Sequence, residues 1–340
     1  MKRVAIPKHD LSRRDFVRSC VAGAAGAVAS SSLLAGPFSS ASPAVQAGAQ
    51  FHNVPLNRGW LFGGKLATPA LQPGFDDSAF QRVTIPHCVA KLSWQKWDPA
   101  EWQAVWIYRR HFSLPEALNG RRVFLHFDGV MVGAAPVVNG HALPKHLGGY
   151  LPFQHEITRL LRANGNVLAV ALDSRWSNTP PEGSPRGTAS VDYLEPGGIP
   201  RPVSLRVVPG IFISDVFAKP VKVLDPDRHL EVTCSIDAAR LPPRPLRIEA
   251  VLTEGSRTIA RASRSLRIEK TGETNTALTL SKLGNVKLWD VNSPHLYRVK
   301  VILSADGKPL HEYQIRIGFR DARFEVGGFF QLQKIGRAHV

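Results

Sequence analysis

From residue 51 onward, short runs of alternating apolar and polar residues are separated by turn residues. Arg82 to Ile85, Ala104 to Phe112, Arg122 to Phe127, Val132 to Val138 and Val167 to Leu172 are each rich in Val, Ile, Phe or Tyr and bounded by Gly, Pro or Asn. That pattern predicts strands. Asn119-Gly120 and Asn139-Gly140 predict tight turns between them. A short helix of two turns is predicted over Thr158 to Ala163, with Gly165 just past its end. A second series starts near Ile213: Leu230 to Ile236, Leu246 to Thr253, Ser265 to Ile268, Thr276 to Leu280, Tyr297 to Leu303 and Tyr313 to Phe319. Some seven strands in about 110 residues suit an immunoglobulin-like sandwich. The expected fold is all-β, two antiparallel sandwiches in tandem, with the boundary near Val208-Pro209-Gly210.

Composition agrees with that architecture. The chain has 340 residues, 44% hydrophobic and 21% charged, which excludes collagen, a disordered acidic tail and a membrane bundle. Gly 28 and Pro 26 favour many turns over long helices. The net charge is +16. The excess is spread along the body with no block of like charges, so it reads as a basic surface, and no nucleic-acid partner is expected.

Residues 1–49 have the order of an export signal rather than of a fold. A basic start is followed by Ser12-Arg13-Arg14-Asp15-Phe16-Val17, an apolar run from Val21 to Ala35, and small residues ending Ala47-Gly48-Ala49. The paired arginines ahead of the apolar run resemble a bacterial twin-arginine signal. The expectation is a periplasmic or secreted protein that engages the twin-arginine export machinery and is cleaved near Ala47 or Ala49. Gly23, Gly26 and Ser30 to Ser32 interrupt the run, and Cys20 precedes it, so no stable membrane anchor is expected. Beyond the signal, Cys88 and Cys234 fall in different predicted domains and are expected to be two unpaired, buried thiols. No CxxC or HExxH spacing occurs, and neither metal nor cofactor is expected.

Several motifs admit a structural reading and a functional one. Trp106 and Tyr108 alternate with Arg109 and Arg110, so the aromatics read as core and the bases as solvated. Gly148-Gly149 suits a loop beside a ligand or another backbone. Trp94, Trp97 and Trp102 cluster with Asp98 and Glu101 in one turn-rich stretch. Three tryptophans so close together either stack on sugar rings or dock against another domain.

Taken in order, the motifs go beyond a generic sandwich. Trp106 to Phe112, Phe127-Asp128-Gly129-Val130, Val138-Asn139-Gly140, Gly148-Gly149-Tyr150-Leu151-Pro152-Phe153 and Gly197-Gly198-Ile199-Pro200-Arg201 form a series that resembles the N-terminal sugar-binding domain of glycoside hydrolase family 2. Leu288-Trp289-Asp290, Pro294-His295-Leu296-Tyr297 and Gly318-Phe319-Arg320 resemble the end of that family's immunoglobulin-like middle domain. The resemblance implies a sugar-binding jelly roll over 50–210, an immunoglobulin-like sandwich over 211–320, and a β-galactoside or related glycan as ligand. By the same resemblance Asp192, six residues before Gly198, matches an aspartate that in the β-galactosidase branch contacts the sugar; alone it reads as a loop residue closing an Asx turn. His87 and Arg201 match positions expected to hold loops in place.

Retaining glycosidases use two carboxylates about 5–5.5 Å apart. In this family both are glutamates on a TIM barrel after the middle domain, and such a barrel takes about 250 residues. Only twenty residues follow Arg320, and no Asn-Glu pair occurs in the chain. Residues 321–340 are therefore expected to hold the start of a missing barrel and an artefactual tail. The last six, Ile335-Gly336-Arg337-Ala338-His339-Val340, are expected to be a translated sequencing adapter rather than native chain. The expectation is an inactive, truncated piece of a retaining β-glycosidase, with a stand-alone carbohydrate-binding protein as the alternative.

Overall fold

A computed structural model of the chain describes residues 52–91, 93, 95, 98–114, 118–175, 197–324, 330–332 and 335–338. In chain order the first half runs β1 (His52–Pro55), β2 (Trp60–Lys65), β3 (Gln81–Val83), β4 (His87–Cys88), β5 (Val105–Phe112), β6 (Arg122–Phe127), β7 (Gly133–Val138), β8 (His141–Ala142), β9 (His146–Leu147), β10 (Phe153–Glu156), β11 (Asn166–Asp173), β12 (Gly198–Ile199) and β13 (Val203–Val208). Two antiparallel layers result, ordered β1-β13-β6-β10 and β3-β2-β5-β11-β7-β8. Their inner faces bury Trp60, Tyr108, Leu125, Phe127, Leu168 and Leu205, as two facing apolar stripes must. This is the expected jelly-roll sandwich.

The outer face of the second layer is covered as well. Residues 66–80, including a 3₁₀ turn at Thr68–Leu71, fold over β5 and β11 and pack Ala70, Phe75 and Phe80 against Ile107, Val137 and Ala169. That cover corrects the reading of Arg109 as solvated: it is completely buried. Its Nε donates to Asp77 Oδ2 at 2.6 Å, and its Nη1 donates to the carbonyls of Ala70 and Gln72. The guanidinium also lies 5.6 Å from the centre of the Phe75 ring.

Asn139-Gly140 is a tight turn, with φ of 52° and 87°, but the side chain of Asn139 does more. Its Nδ2 donates to Leu160 O at 2.8 Å and Asn166 Oδ1 at 2.9 Å, and its Oδ1 accepts from Val167 N at 2.8 Å. Asn139→Ala is expected to cost about 1–2 kcal/mol, because it strands buried polar partners. Asn139→Gly keeps the turn and loses the bonds, so it should cost nearly as much in urea unfolding. A neutral Gly variant would reduce Asn139 to a backbone role. The helix predicted at Thr158 shrinks to one 3₁₀ turn, Thr158–Leu160. The Thr158 hydroxyl is engaged locally, accepting from Val123 N and donating to Glu156, which draws the chain into a turn instead of a second helical turn.

The second half runs β14 (Ile211–Val221), β15 (His229–Ala238), β16 (Leu246–Glu254), β17 (Arg257–Leu266), β18 (Gly272–Leu280), β19 (Tyr297–Ala305) and β20 (Lys308–Ile317). The layers β14-β15-β18 and β17-β16-β19-β20 enclose Leu230, Cys234, Ile248, Val299 and Phe319, giving the immunoglobulin-like sandwich. Ser265 to Ile268 was expected as a strand, yet the strand ends at Leu266 and begins nine residues earlier, through an arginine-rich stretch. Among the described residues no TIM barrel is present. Ala322–Phe324, Phe330–Leu332 and Ile335–Ala338 pair as a small antiparallel sheet.

The sandwiches meet at Pro209-Gly210. Phe124 and Phe212 contact across the junction with centroids 5.5 Å apart, and Arg122 binds Glu156 on its own side and Asp237 on the other. Both Cys88 and Cys234 are free. Cys234 is buried, and burial pushes its thiol up to about 12. Cys88 corrects the expectation of burial: it is exposed, because the β4–β12 ribbon that carries it lies outside both layers.

Candidate functional site

One end of the first sandwich gathers the family motifs. The ribbon β4–β12 pairs His87 with Ile199 and Cys88 with Gly198, and Val89 N donates to Gly197 O at 3.3 Å. Beside it, Ser174 N donates to Ala104 O at 3.1 Å. The Ser174 hydroxyl also accepts from Trp106 Nε1 at 2.9 Å and donates to Trp102 O. The described residues Val89, Trp102, Ser174 and Gly197 therefore lie beside one another. Asp192, Trp94 and Trp97 belong to the two intervening stretches and lie outside the described residues. Trp102 is described and is fully buried. This corrects its candidacy for sugar stacking, since a ring with no exposed face offers none to a pyranose.

The floor of this end is aromatic. Phe62 packs against His87, Trp106 and Tyr108 at centroid distances of 5.1, 5.8 and 4.9 Å. His87 Nδ1 and Tyr108 Oη lie 2.8 Å apart. Burial lowers the His87 pKa and raises that of Tyr108, so a neutral imidazole and a protonated phenol share that hydrogen bond at neutral pH. His87 thus holds the ribbon to β5.

The glycines close the rim. Gly198 has φ +118°, and a Cβ there would sit 2.3 Å from His87 O. A Cβ on Gly149 would sit 2.3 Å from Met131 Sδ. Backbone and sulfur approach where no side chain fits. Met131 and Gly198 exchange backbone bonds of 2.8 and 3.1 Å. Arg201 Nη1 donates to Tyr150 O at 3.2 Å, tying the Gly148-Gly149-Tyr150 loop to the strand that returns the Asp192 stretch. Leu147, Tyr150 and Leu151 stand out at 50%, 51% and 68% exposure. Sequence reasoning marked this loop but not the outward turn of these three side chains. The signal was present in Gly148-Gly149, which lets the following aromatic and aliphatic residues turn outward. Among the described residues no cluster of His, Cys, Asp and Glu could hold a metal ion.

Comparison with known proteins gives this end of the sandwich a context. The glycosyl hydrolase 2 galactose-binding-domain-like family matches residues 85–202, and the "Glycosyl hydrolases family 2" domain matches residues 211–320. The chain belongs to glycosyl hydrolase family 2. It is similar to a β-galactosidase of Thermoanaerobacter pseudethanolicus, 29% identical over 82% of this chain and 36% of the relative. It is also similar to a putative β-glucuronidase of Formosa agariphila, 26% identical over 82% of this chain and 32% of the relative. Among solved structures, a β-glucuronidase of Bacteroides uniformis shares the fold with TM-score 0.72 and 22% identity, over 83% of this chain and 34% of that one. The chain thus spans about a third of the length of the relatives it matches.

Proposed function

We propose that these residues are the N-terminal, non-catalytic part of a retaining β-glycosidase of family 2, with a β-galactoside as substrate. The carrying observation is the pair of family matches, which covers both sandwiches and no catalytic barrel. The β-galactosidase relative at 29% identity supports the lean to galactoside. The match of residues 85–202, which include Asp192, to the galactose-binding-domain-like family supports a sugar-facing role in which its carboxylate accepts hydrogen bonds from sugar hydroxyls. The first 49 residues act as a twin-arginine signal, and the mature protein works in the periplasm or outside the cell.

The test has two arms. The 340-residue chain should hydrolyse none of the chromogenic β-galactoside, β-glucuronide and β-mannoside. Enzyme in which these domains precede a catalytic barrel should prefer the galactoside. There, Asp192→Ala should cut kcat/KM by about 10–100-fold, the equivalent of one charged hydrogen bond of about 1.5–3 kcal/mol. An unchanged kcat/KM would return Asp192 to a turn role, and hydrolysis of mannoside alone would refute the galactoside assignment.

A further inference from the structure

The open face of the β17-β16-β19-β20 sheet carries a charge arrangement that folding alone does not explain. Alternation along β19 sends Tyr297, Val299, Val301 and Leu303 inward and Arg298, Lys300 and Ile302 outward. The register then sets Arg298 directly opposite Arg316, and it aligns Arg261, Val251, Lys300 and Gln314 in the next row across the sheet. Arg261, Arg298 and Arg316 are exposed. Directly opposed like charges bring their Cβ atoms within about 5 Å and destabilise the pair. Lys300 stands about 7 Å further along the same strand.

Edge protection accounts for bases on β17, an outer strand. It does not account for Arg298, because β19 lies between β16 and β20. The acids on the face, Glu249 and Glu312, lie one row away, and Glu312 reaches only Lys300, at 3.8 Å. Arg261, Arg298 and Arg316 form no ion pair among the described residues. Val251, half-buried, supplies an apolar patch between Arg261 and Lys300.

We infer that this face binds an anionic polysaccharide, whose carboxylates or sulfates bridge Arg261, Arg298 and Arg316 while a sugar ring lies over Val251. A second anchoring surface on the middle sandwich would hold polymer on the same chain as the sugar-binding sandwich. The inference rests on the glycosidase reading above in taking a glycan as the polymer.

The experiment measures binding of the 340-residue chain to polygalacturonate, dextran sulfate, neutral galactan and duplex DNA by affinity electrophoresis. Polygalacturonate or dextran sulfate should bind and weaken steeply with added salt. Arg261→Gln/Arg298→Gln/Arg316→Gln should lower that affinity by at least about tenfold, as loss of three ionic contacts implies. A charge-matched control on the first sandwich, Arg58→Gln/Arg82→Gln/Arg159→Gln, should leave it intact. Equal loss in the control, no binding to either polyanion, or tighter binding to DNA overturns the inference. Galactan binding reports separately on the first sandwich: the sheet variant should retain it, so failure of the sugar reading and failure of this face are distinguishable.

Discussion

Arg109→Ala is expected to cost about 3–5 kcal/mol of folding stability, as breaking a buried ion pair from one side does. The guanidinium is fully buried and Asp77 only 14% exposed. Truncation leaves that carboxylate with His111 alone, strips the carbonyls of Ala70 and Gln72 of their Arg109 donor, and opens a void beneath Phe75. The penalty falls on the segment that covers β5, so residues 66–80 should lose hydrogen-exchange protection first. Arg109→Lys keeps the charge but not the planar fork, and should recover only part of the stability.

The same site predicts an acid dependence. Burial works against ionisation of Asp77, but hydrogen bonds from Arg109 and His111 outweigh it and hold the carboxyl below its usual range. A depressed carboxyl pKa stabilises the fold above the unfolded value, about 4, and that stability is lost as pH falls through the folded value. Urea unfolding at pH 6 and pH 3 should show this loss in the native chain and a smaller loss in Arg109→Ala. Equal stability of the two proteins at pH 6 would sink the account.

Arg109 also marks where the sequence stopped being legible. The strands themselves were readable: alternation gave β5, β6 and β11 to within a residue, because each has one face in the core. Which face of β5 met water was not readable. A polar residue on an outward position signals solvent only if nothing folds over it, and here a segment some thirty residues away does. The short turn Asp76-Asp77-Ser78 gives no local hint of that non-local pairing. β17 was misplaced for the opposite reason. As an edge strand with bases outward it has few apolar positions, and the pattern rule found only its last residues. At the candidate site, the motif order identified the rim and its loop-holding residues His87 and Arg201. Composition alone grouped Trp102 with Trp94 and Trp97 as candidates for sugar contact or docking, although its carbonyl accepts from Trp106 and Ser174 and its ring is fully buried. Spacing counts residues in a loop and does not say which of them turns inward.

Arg122→Ala is expected to uncouple the two sandwiches as well as destabilise them. The guanidinium lies 5.0 Å from the centre of the Phe124 ring and 5.4 Å from that of Phe212, one on each side of the junction. Its ion pairs run 2.7 Å to Glu156 and 2.9 Å to Asp237, again one on each side. Burial disfavours its charge, yet the hydrogen bonds it donates to the Glu156 and Asp237 carboxylates more than compensate and its pKa is raised. Glu156 responds in kind: the Arg122 hydrogen bond draws its carboxyl below the usual range. With the side chain 11% exposed, its loss should cost about 2–3 kcal/mol, the scale of hydrogen bonds to charged groups. What distinguishes this residue is where that energy sits. Arg122 pairs with a carboxylate and packs on a ring on each side of the junction, so the native chain should melt in one calorimetric transition at pH 7 and the variant in two. Acid should imitate the substitution, because the stability tied to the depressed Glu156 pKa is present above about pH 4 and is lost as pH falls through its folded value. Arg122→Lys reaches one carboxylate but cannot span both, and should give a broadened single transition. A single transition at unchanged temperature in Arg122→Ala would show that the apolar contact alone holds the sandwiches together.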